Sequence, residues 1–190
     1  AVAAAYMLGS ISPAILLSKA LGKDIRQCGS GNAGTTNMLR TYGVKAAAVT
    51  LLLDALKGAA ATVIGRSAAG ELCASVCLVA VIIGHIFPLY FGFKGGKGIA
   101  TAFGSLLVLS PAIALIELAV AVSIMAATKM VSAGSIAGAA LLPFVTWYFK
   151  PDFLPFAVGI AVLVIYKHRS NIGRILRHEE AVLDFSKFKK

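Results

Sequence analysis

A short polar segment, residues 29–37, carries the residue types best suited to binding an anion. It reads Gly-Ser-Gly-Asn-Ala-Gly-Thr-Thr-Asn, and Arg40 follows it. Glycines let several backbone N–H groups converge on one point, and such a nest binds phosphate. The guanidinium of Arg40 can form paired hydrogen bonds to a phosphate. Neutral side-chain donors complete the segment, at Ser30, Asn32, Thr35, Thr36 and Asn37.

The three glycines at 29, 31 and 34 also match the spacing G-x-G-x-x-G. That pattern indicates a dinucleotide site only between a strand and a helix of a βαβ unit. Here an apolar helix and a charged loop precede it, so we reject the dinucleotide interpretation. A plain turn between helices is the remaining alternative to an anion site.

A second glycine-rich segment runs from residue 84 to residue 101 and contains Phe-Lys-Gly-Gly-Lys-Gly. Phe91 stands where a Walker A loop needs glycine, and Gly98 stands where it needs Ser or Thr, which excludes a nucleotide P-loop. Lys97 comes at the start of a predicted helix, where free N–H groups and the helix dipole attract anions. We expect a second anion subsite, with a flexible hinge as the alternative. For His85, the sequence does not distinguish a structural role from a catalytic one.

Two further polar groups follow. Ser132 and Ser135 stand at the predicted start of a helix, where hydroxyls usually act as caps. Beside the other anion-binding segments, Ser135 is also a candidate wall of the site. His168 and Asn171 are three residues apart and are predicted to share a helix face, which Arg174 extends. The segment after it, to Lys190, is predicted to be amphipathic and to lie on an anionic membrane surface.

The composition indicates an integral membrane protein. Of 190 residues, 58% are hydrophobic and 14% are charged, against about a quarter charged in a soluble domain. We expect one domain, residues 1–190. Aromatic residues make up 8%, and the basic residues are scattered between apolar runs, so the +10 net charge is interpreted as a topology signal rather than a nucleic-acid site. The chain starts at Ala1, so we expect leading residues to be missing, and the first apolar run is predicted to be a retained helix.

Seven apolar helices are predicted, and their orientation follows from the basic residues. A spanning helix needs about 20 mostly apolar residues, so the fourth is too short to cross a bilayer and is expected to insert only partly. Lys and Arg concentrate in cytoplasmic loops. With the N-terminus outside and the C-terminus in the cytoplasm, 15 basic residues lie inside and two, Arg66 and Lys150, outside. The predicted helices are 1–20, 43–65, 71–91, 98–109, 111–128, 132–149 and 152–167.

Charged residues within the predicted spans are few. Asp54 and Lys57 are spaced to pair on one helix face. Glu117 stands alone, and we expect it to make a buried hydrogen bond, with a catalytic role as the alternative. Ligand sets for magnesium or zinc are absent from the sequence, so neither a metal nor a cofactor is predicted. A His-x-x-x-x-Asp dyad is absent too, so the chain offers no obvious general base for acyl transfer.

Three ordered motifs give the sequence a family resemblance. Gly-Ser-Gly-Asn-Ala-Gly-Thr-Thr-Asn, Gly-His-x-Phe-Pro with Lys-Gly-Gly-Lys-Gly-Ile-Ala-Thr, and His-x-x-Asn-Ile-x-Arg together resemble the bacterial acyl-phosphate:glycerol-3-phosphate acyltransferase (PlsY) family. The resemblance covers nearly the whole chain. It departs after the third motif, where a Gly-x-Glu is expected and Arg177-His178-Glu179-Glu180 follows. The role of Glu180 therefore stays open.

The resemblance implies transfer of an acyl group from acyl phosphate to glycerol 3-phosphate, giving lysophosphatidic acid and phosphate, at the cytoplasmic face of the cell inner membrane. The implied partners are these two substrates and membrane lipid, and we expect a monomer. Ser30, Arg40 and Lys97 are assigned to the glycerol 3-phosphate subsite, and His85 is counted with the substrate-binding residues. Ser30, Lys97, His168 and Asn171 are taken as the catalytic group. The acyl phosphate and its developing oxyanion are assigned to Asn32, Thr36, Asn37, Ser135, His168 and Asn171.

An acyl phosphate already carries a good leaving group, so positioning and charge stabilisation can supply most of the rate. Because no general base is obvious, we hypothesise that a substrate phosphate accepts the proton of the glycerol hydroxyl. A small-anion membrane transporter is the alternative function. Against it, the polar motifs cluster on one predicted side of the membrane, and no inverted repeat is visible.

Overall fold

The computed structural model describes residues 1–183, and these form helices joined by turns and by two longer loops, 21–34 and 87–98. The predicted all-helical membrane fold is confirmed. Lys187, Lys189 and Lys190, part of the predicted basic tail, lie outside the described residues. The helices are α1 (Val2–Ser10), α2 (Pro13–Ala20), α3 (Thr35–Ile86), α4 (Ile99–Leu109), α5 (Pro111–Thr128), α6 (Val131–Phe149), α7 (Leu154–Lys167) and α8 (Arg169–Leu176).

Several of these helices suit a bilayer. Within residues 1–183, four helical segments are long and apolar enough to cross a membrane, and the pair α7–α8, bent by 57°, would make a fifth. Phe144 and Trp147 on α6 are each 69% exposed, as expected of side chains that face lipid. Helix α4 has 11 residues, which confirms that the fourth predicted helix is short.

The first predicted helix, 1–20, is divided into α1 and α2, so its continuity was predicted wrongly. The break is caused by Pro13, which disfavours helical backbone at the residue before it. Ser12 has extended backbone instead, and its Oγ accepts a hydrogen bond from the backbone N–H of Ile15 at 3.4 Å, capping α2. The sequence signal for this break was Ser12-Pro13, a typical helix start.

Helix α3 is interrupted twice. Gly43 and the pair Ala69–Gly70 have non-helical backbone angles, which leaves helical stretches at 35–42, 44–68 and 71–86. A side chain at Gly65 would overlap the backbone of Cys73, so the last two stretches fold back on each other as a hairpin. The predicted helices 43–65 and 71–91 correspond to this hairpin. The stretch 35–42 was not predicted to be helical.

The chain divides into two compact units, the first ending at Leu109 and the second beginning at Ser110. In the first unit, α1, α2 and α4 pack against α3. Glycines allow very close approach there, because a side chain at Gly58 would overlap α4 and one at Gly104 would overlap Ala55. In the second unit, α6 packs between α5 and α7.

Candidate functional site

The polar loop before α3 is held in shape by one buried side chain. Asn37 is 1% exposed, and its Oδ1 accepts a hydrogen bond from the backbone N–H of Ser30 at 3.1 Å. Its Nδ2 donates to the carbonyls of Ile25, Cys28 and Asn32 at 3.2, 2.9 and 3.1 Å. The amide of Asn37 therefore fixes the loop, whereas Ser30 and Arg40 are exposed. The predicted contact of Asn37 with substrate stays a prediction.

The second glycine-rich segment meets this loop. A side chain at Gly96 would overlap both the carbonyl oxygen of Ala33 and the Nε2 atom of His85, so residue 96 must be glycine for the two segments to pack. The structure thus brings the first and second predicted anion segments together within the first unit. Lys97 follows Gly96 directly and is partly buried.

An ion pair that the sequence analysis did not single out links the chain just before the polar loop to the second segment. Arg26 binds the carboxylate of Asp24, with Nη2 2.7 Å from Oδ2, and its Nη1 donates to the carbonyl of Phe91 at 2.8 Å. The side-chain hydrogen bond from Arg26 holds the pKa of Asp24 below its usual value. The sequence analysis assigns Arg26 only to the basic residues that set the topology. The spacing Asp24-x-Arg26 before a glycine loop was the available signal.

The predicted pair of Asp54 and Lys57 is present and includes a third residue. Nζ of Lys57 lies 2.8 Å from Oδ1 of Asp54, and Nδ1 of His85 lies 3.2 Å from the same oxygen. All three residues are almost fully buried. His85 therefore makes a structural contact, which was one of the two roles left open for it.

The second unit contains a cluster centred on Glu180. Its Oε1 accepts hydrogen bonds from Ser132 Oγ and Asn171 Nδ2, both at 2.7 Å, and its Oε2 accepts from Arg174 Nε at 2.6 Å. Burial opposes ionisation of this carboxyl, but the three donors outweigh burial and hold the pKa of Glu180 below its usual value. The sequence left the role of Glu180 open, and the structure makes it the centre of this cluster.

The two serines at the start of α6 do not cap it, so the capping prediction is wrong. The N-cap position is Met130, and no side chain caps this helix. Ser132 instead binds Glu180, and Ser135 Oγ donates to the carbonyl of Val131 at 3.0 Å, one turn back along the helix. The helix begins one residue earlier than predicted, which moves both serines past the cap.

His168 and Asn171 are both buried, but they do not belong to one continuous helix. His168 lies at the bend between α7 and α8, and its Nδ1 is 2.8 Å from the carbonyl oxygen of Val164. Asn171 and Arg174 lie on α8 and both reach Glu180. Asn171 and Arg174 therefore share a face of α8, and the predicted common face of His168 and Asn171 stays a prediction.

Glu117 differs from expectation. Its Oε1 is buried and has no hydrogen-bond partner among residues 1–183, so the predicted buried hydrogen bond is not found at that atom. The carboxyl faces α6, because a side chain at Gly138 would come within 3.1 Å of its Oε2. Because Glu117 is the only charged residue in its helix, the sequence did not indicate which residue it would face.

Comparison with known proteins identifies the family. A family model described as glycerol-3-phosphate acyltransferase matches residues 1–178. The chain belongs to the glycerol-3-phosphate acyltransferase family. A family member from Thermoanaerobacter pseudethanolicus is 45% identical over 183 residues, which cover 94% of this chain and 92% of that protein. One from Neisseria meningitidis is 41% identical and covers 98% of each chain.

Solved structures of the same family are also similar. The crystal structure of PlsY (YgiH), an integral membrane glycerol 3-phosphate acyltransferase, in its glycerol 3-phosphate form has a TM-score of 0.93. It is 35% identical and covers 98% of this chain and 95% of that one. Its lysophosphatidic acid form has a TM-score of 0.90 and 34% identity. The predicted family, multi-pass membrane class and acyltransferase class are confirmed.

Proposed function

We propose that this acyltransferase uses an acyl phosphate as donor and glycerol 3-phosphate as acceptor. The bond between the acyl carbon and the phosphate oxygen breaks, and a bond to a glycerol hydroxyl oxygen forms. The products are lysophosphatidic acid and inorganic phosphate. The observation that carries the proposal is the packing of two glycine-rich segments at Gly96, next to Lys97, in a chain of this family.

The glycerol 3-phosphate subsite is assigned to the first unit, at Ser30, Arg40 and Lys97. Support comes from exposure, because Ser30 in the fixed turn and Arg40 on the first stretch of α3 both lie at the surface of this unit. Cationic and amide donors suit a dianionic phosphate ester. The acyl phosphate is assigned to the remaining candidates, Asn32, Thr36, Asn37, Ser135, His168 and Asn171.

The hydroxyl proton passes to a substrate phosphate in this proposal. Two histidines are the candidates for a protein base, and each has one ring nitrogen engaged, His85 with Asp54 and His168 with Val164. Modest loss of kcat in His85→Ala and His168→Ala supports transfer to the substrate. A loss of about 10⁴-fold in either variant, with folding and binding intact, contradicts it.

The decisive experiment measures phosphate release from palmitoyl phosphate by the purified chain. We expect release that depends strictly on glycerol 3-phosphate, together with formation of lysophosphatidic acid. Glycerol in place of glycerol 3-phosphate is the matched control and should give no turnover. Phosphate release without the acceptor, or binding and transport of glycerol 3-phosphate without an acylated product, would contradict the proposal.

The finer membrane assignment is also a proposal: a monomeric, single-domain protein of the cell inner membrane, with its active site at the cytoplasmic face and its N-terminus outside. It rests on the excess of basic residues in alternate loops. A cysteine introduced at Ser67 should react with an impermeant maleimide in intact spheroplasts, whereas one at Gly22 should react only after lysis. The reverse pattern would invert the topology.

A further inference from the structure

A buried ionic network in the first unit extends from the break between α1 and α2 to the glycine-rich segment before α4. Asp54 is its centre, and Lys57 and His85 both contact its Oδ1. The side chains of these residues are 2%, 5% and 5% exposed. Buried charges are costly unless they are paired, and ionisable residues within a membrane span usually serve function.

Lys57 accounts for one end of this network. Its Nζ donates to the carbonyl oxygens of Gly9 and Ile11 at 3.0 and 2.7 Å. These carbonyls lie at the end of α1, where the break before Pro13 removes their helical partners. The ammonium therefore closes the helix break, and Asp54 balances its charge.

His85 accounts for the other end. With Nδ1 held by Asp54, the opposite ring nitrogen, Nε2, lies against Gly96. The backbone adds two contacts, since the N–H of Gly96 donates to the carbonyl of His85 at 3.2 Å and the N–H of Gly95 donates to that of Ile86 at 3.3 Å. A carboxylate on one ring nitrogen fixes the orientation of an imidazole. The turn that carries Lys97 is therefore built around an imidazole that Asp54 orients.

We propose that Asp54 is a positioning residue for the glycerol 3-phosphate subsite, acting through His85 on the turn 95–98 that carries Lys97. This inference rests on the proposed function, because it assigns the subsite at Lys97 to the acceptor phosphate. Asp54 does not touch substrate in this account. Its removal should weaken binding of the acceptor and leave use of the acyl donor nearly unchanged.

The test compares steady-state kinetics of Asp54→Asn with those of the wild type and Thr50→Val. Thr50 lies one turn before Asp54 on α3 and is fully buried, and its Oγ1 bonds only the local carbonyl of Ala46 at 2.8 Å among the contacts described. We expect Asp54→Asn to raise KM for glycerol 3-phosphate about 10- to 100-fold, the size of effect seen when an outer partner of a ligating histidine is lost. KM for palmitoyl phosphate should change less than about twofold in both variants.

A double-mutant cycle with His85→Ala separates positioning from general stability. If Asp54 acts through His85, adding Asp54→Asn to His85→Ala should not raise KM for glycerol 3-phosphate further. The inference would be overturned if the increases in KM for glycerol 3-phosphate of the two single variants multiplied in full in the double variant. A wild-type KM in a stably folded Asp54→Asn would also overturn it. If Asp54→Asn does not fold because Lys57 is left unbalanced, Asp54→Asn with Lys57→Met removes both charges, and the same criteria apply to it. Absence of turnover by the wild type and Thr50→Val would instead overturn the proposed function.

Discussion

The two units place their buried carboxylates differently with respect to the predicted anion-binding residues. In the first unit, Asp54 lies behind the glycine-rich turn and reaches it through His85. In the second unit, Glu180 directly accepts hydrogen bonds from Arg174 and from Asn171, which the sequence analysis assigned to anion binding. A polar motif in a membrane protein can therefore bind an anion or a carboxylate of its own chain, and the residue types alone do not distinguish the two.

The largest expected effect tests the first unit as the acceptor subsite. Arg40→Ala and Lys97→Ala should each raise KM for glycerol 3-phosphate about 10- to 100-fold, since a hydrogen bond to a charged group contributes about 1.5–3 kcal/mol. The measurement is initial rate against glycerol 3-phosphate at saturating palmitoyl phosphate. Lys45→Ala, which removes an exposed charge, is the control. An unchanged KM in both Arg40→Ala and Lys97→Ala would contradict their assignment to the glycerol 3-phosphate subsite.

The next effect tests the second unit as a cluster organised by its own carboxylate. Glu180→Gln should lower the free energy of unfolding by about 2–3 kcal/mol, because three donors lose a charged acceptor in a buried place. Thermal unfolding in detergent measures it. Glu179→Gln is the matched control, because the Glu179–Arg177 pair is 59% and 62% exposed and should contribute less than about 1 kcal/mol. Equal shifts in melting temperature for Glu180→Gln and Glu179→Gln would contradict this difference between the buried and the exposed carboxylate.

The same cluster should weaken in acid. Hydrogen bonds hold the folded-state pKa of Glu180 below its ordinary value of 4.5, so the stabilisation is complete above that value. It is lost as pH falls through the lower, folded-state pKa. The difference in melting temperature between wild type and Glu180→Gln should therefore be constant near neutral pH and shrink below pH 4.5. A difference that grows in acid would contradict the assigned direction.

A smaller effect tests how the first loop is held. Gly29→Ala should raise KM for glycerol 3-phosphate, because a Cβ there would overlap Oδ1 of Asn37 and release the loop. Gly92→Ala is the matched control, since Gly92 also has a left-handed backbone, φ 65° against 54°, and nothing lies near its Cβ position. Both variants should lose about 1–2 kcal/mol of stability from backbone strain. A normal KM in Gly29→Ala would show that Asn37 does not set the loop for binding.

A last prediction separates the two serines of α6. Ser132→Ala should cost about 1.5–3 kcal/mol of stability, because its hydroxyl donates to the buried carboxylate of Glu180. Ser135→Ala should cost less than about 1 kcal/mol, since its hydroxyl bonds only one local carbonyl among the contacts described. The acyl phosphate assignment also expects Ser135→Ala to raise KM for palmitoyl phosphate. An unchanged KM would remove Ser135 from that subsite.

Much of this protein was determined by its sequence. Long apolar runs with few charges predict membrane helices, so most of the helices and the short α4 were predictable. The i, i+3 spacing of Asp54 and Lys57 likewise predicted their pairing. Proline at residue 13 and glycine at residue 43 act locally as well. Their breaks were readable from sequence, although neither was predicted.

Tertiary structure decided which polar groups meet. Asp54 and His85 are 31 residues apart and touch because α3 folds back at Ala69–Gly70. Glu180 reaches Ser132 from 48 residues away because the chain after α8 returns to the start of α6, where the N–H of Leu183 donates to the carbonyl of Lys129. Helix periodicity specifies faces within one helix. Partners across helices depend on packing, so the sequence alone did not identify His85 as a partner of Asp54 or any partner of Glu180.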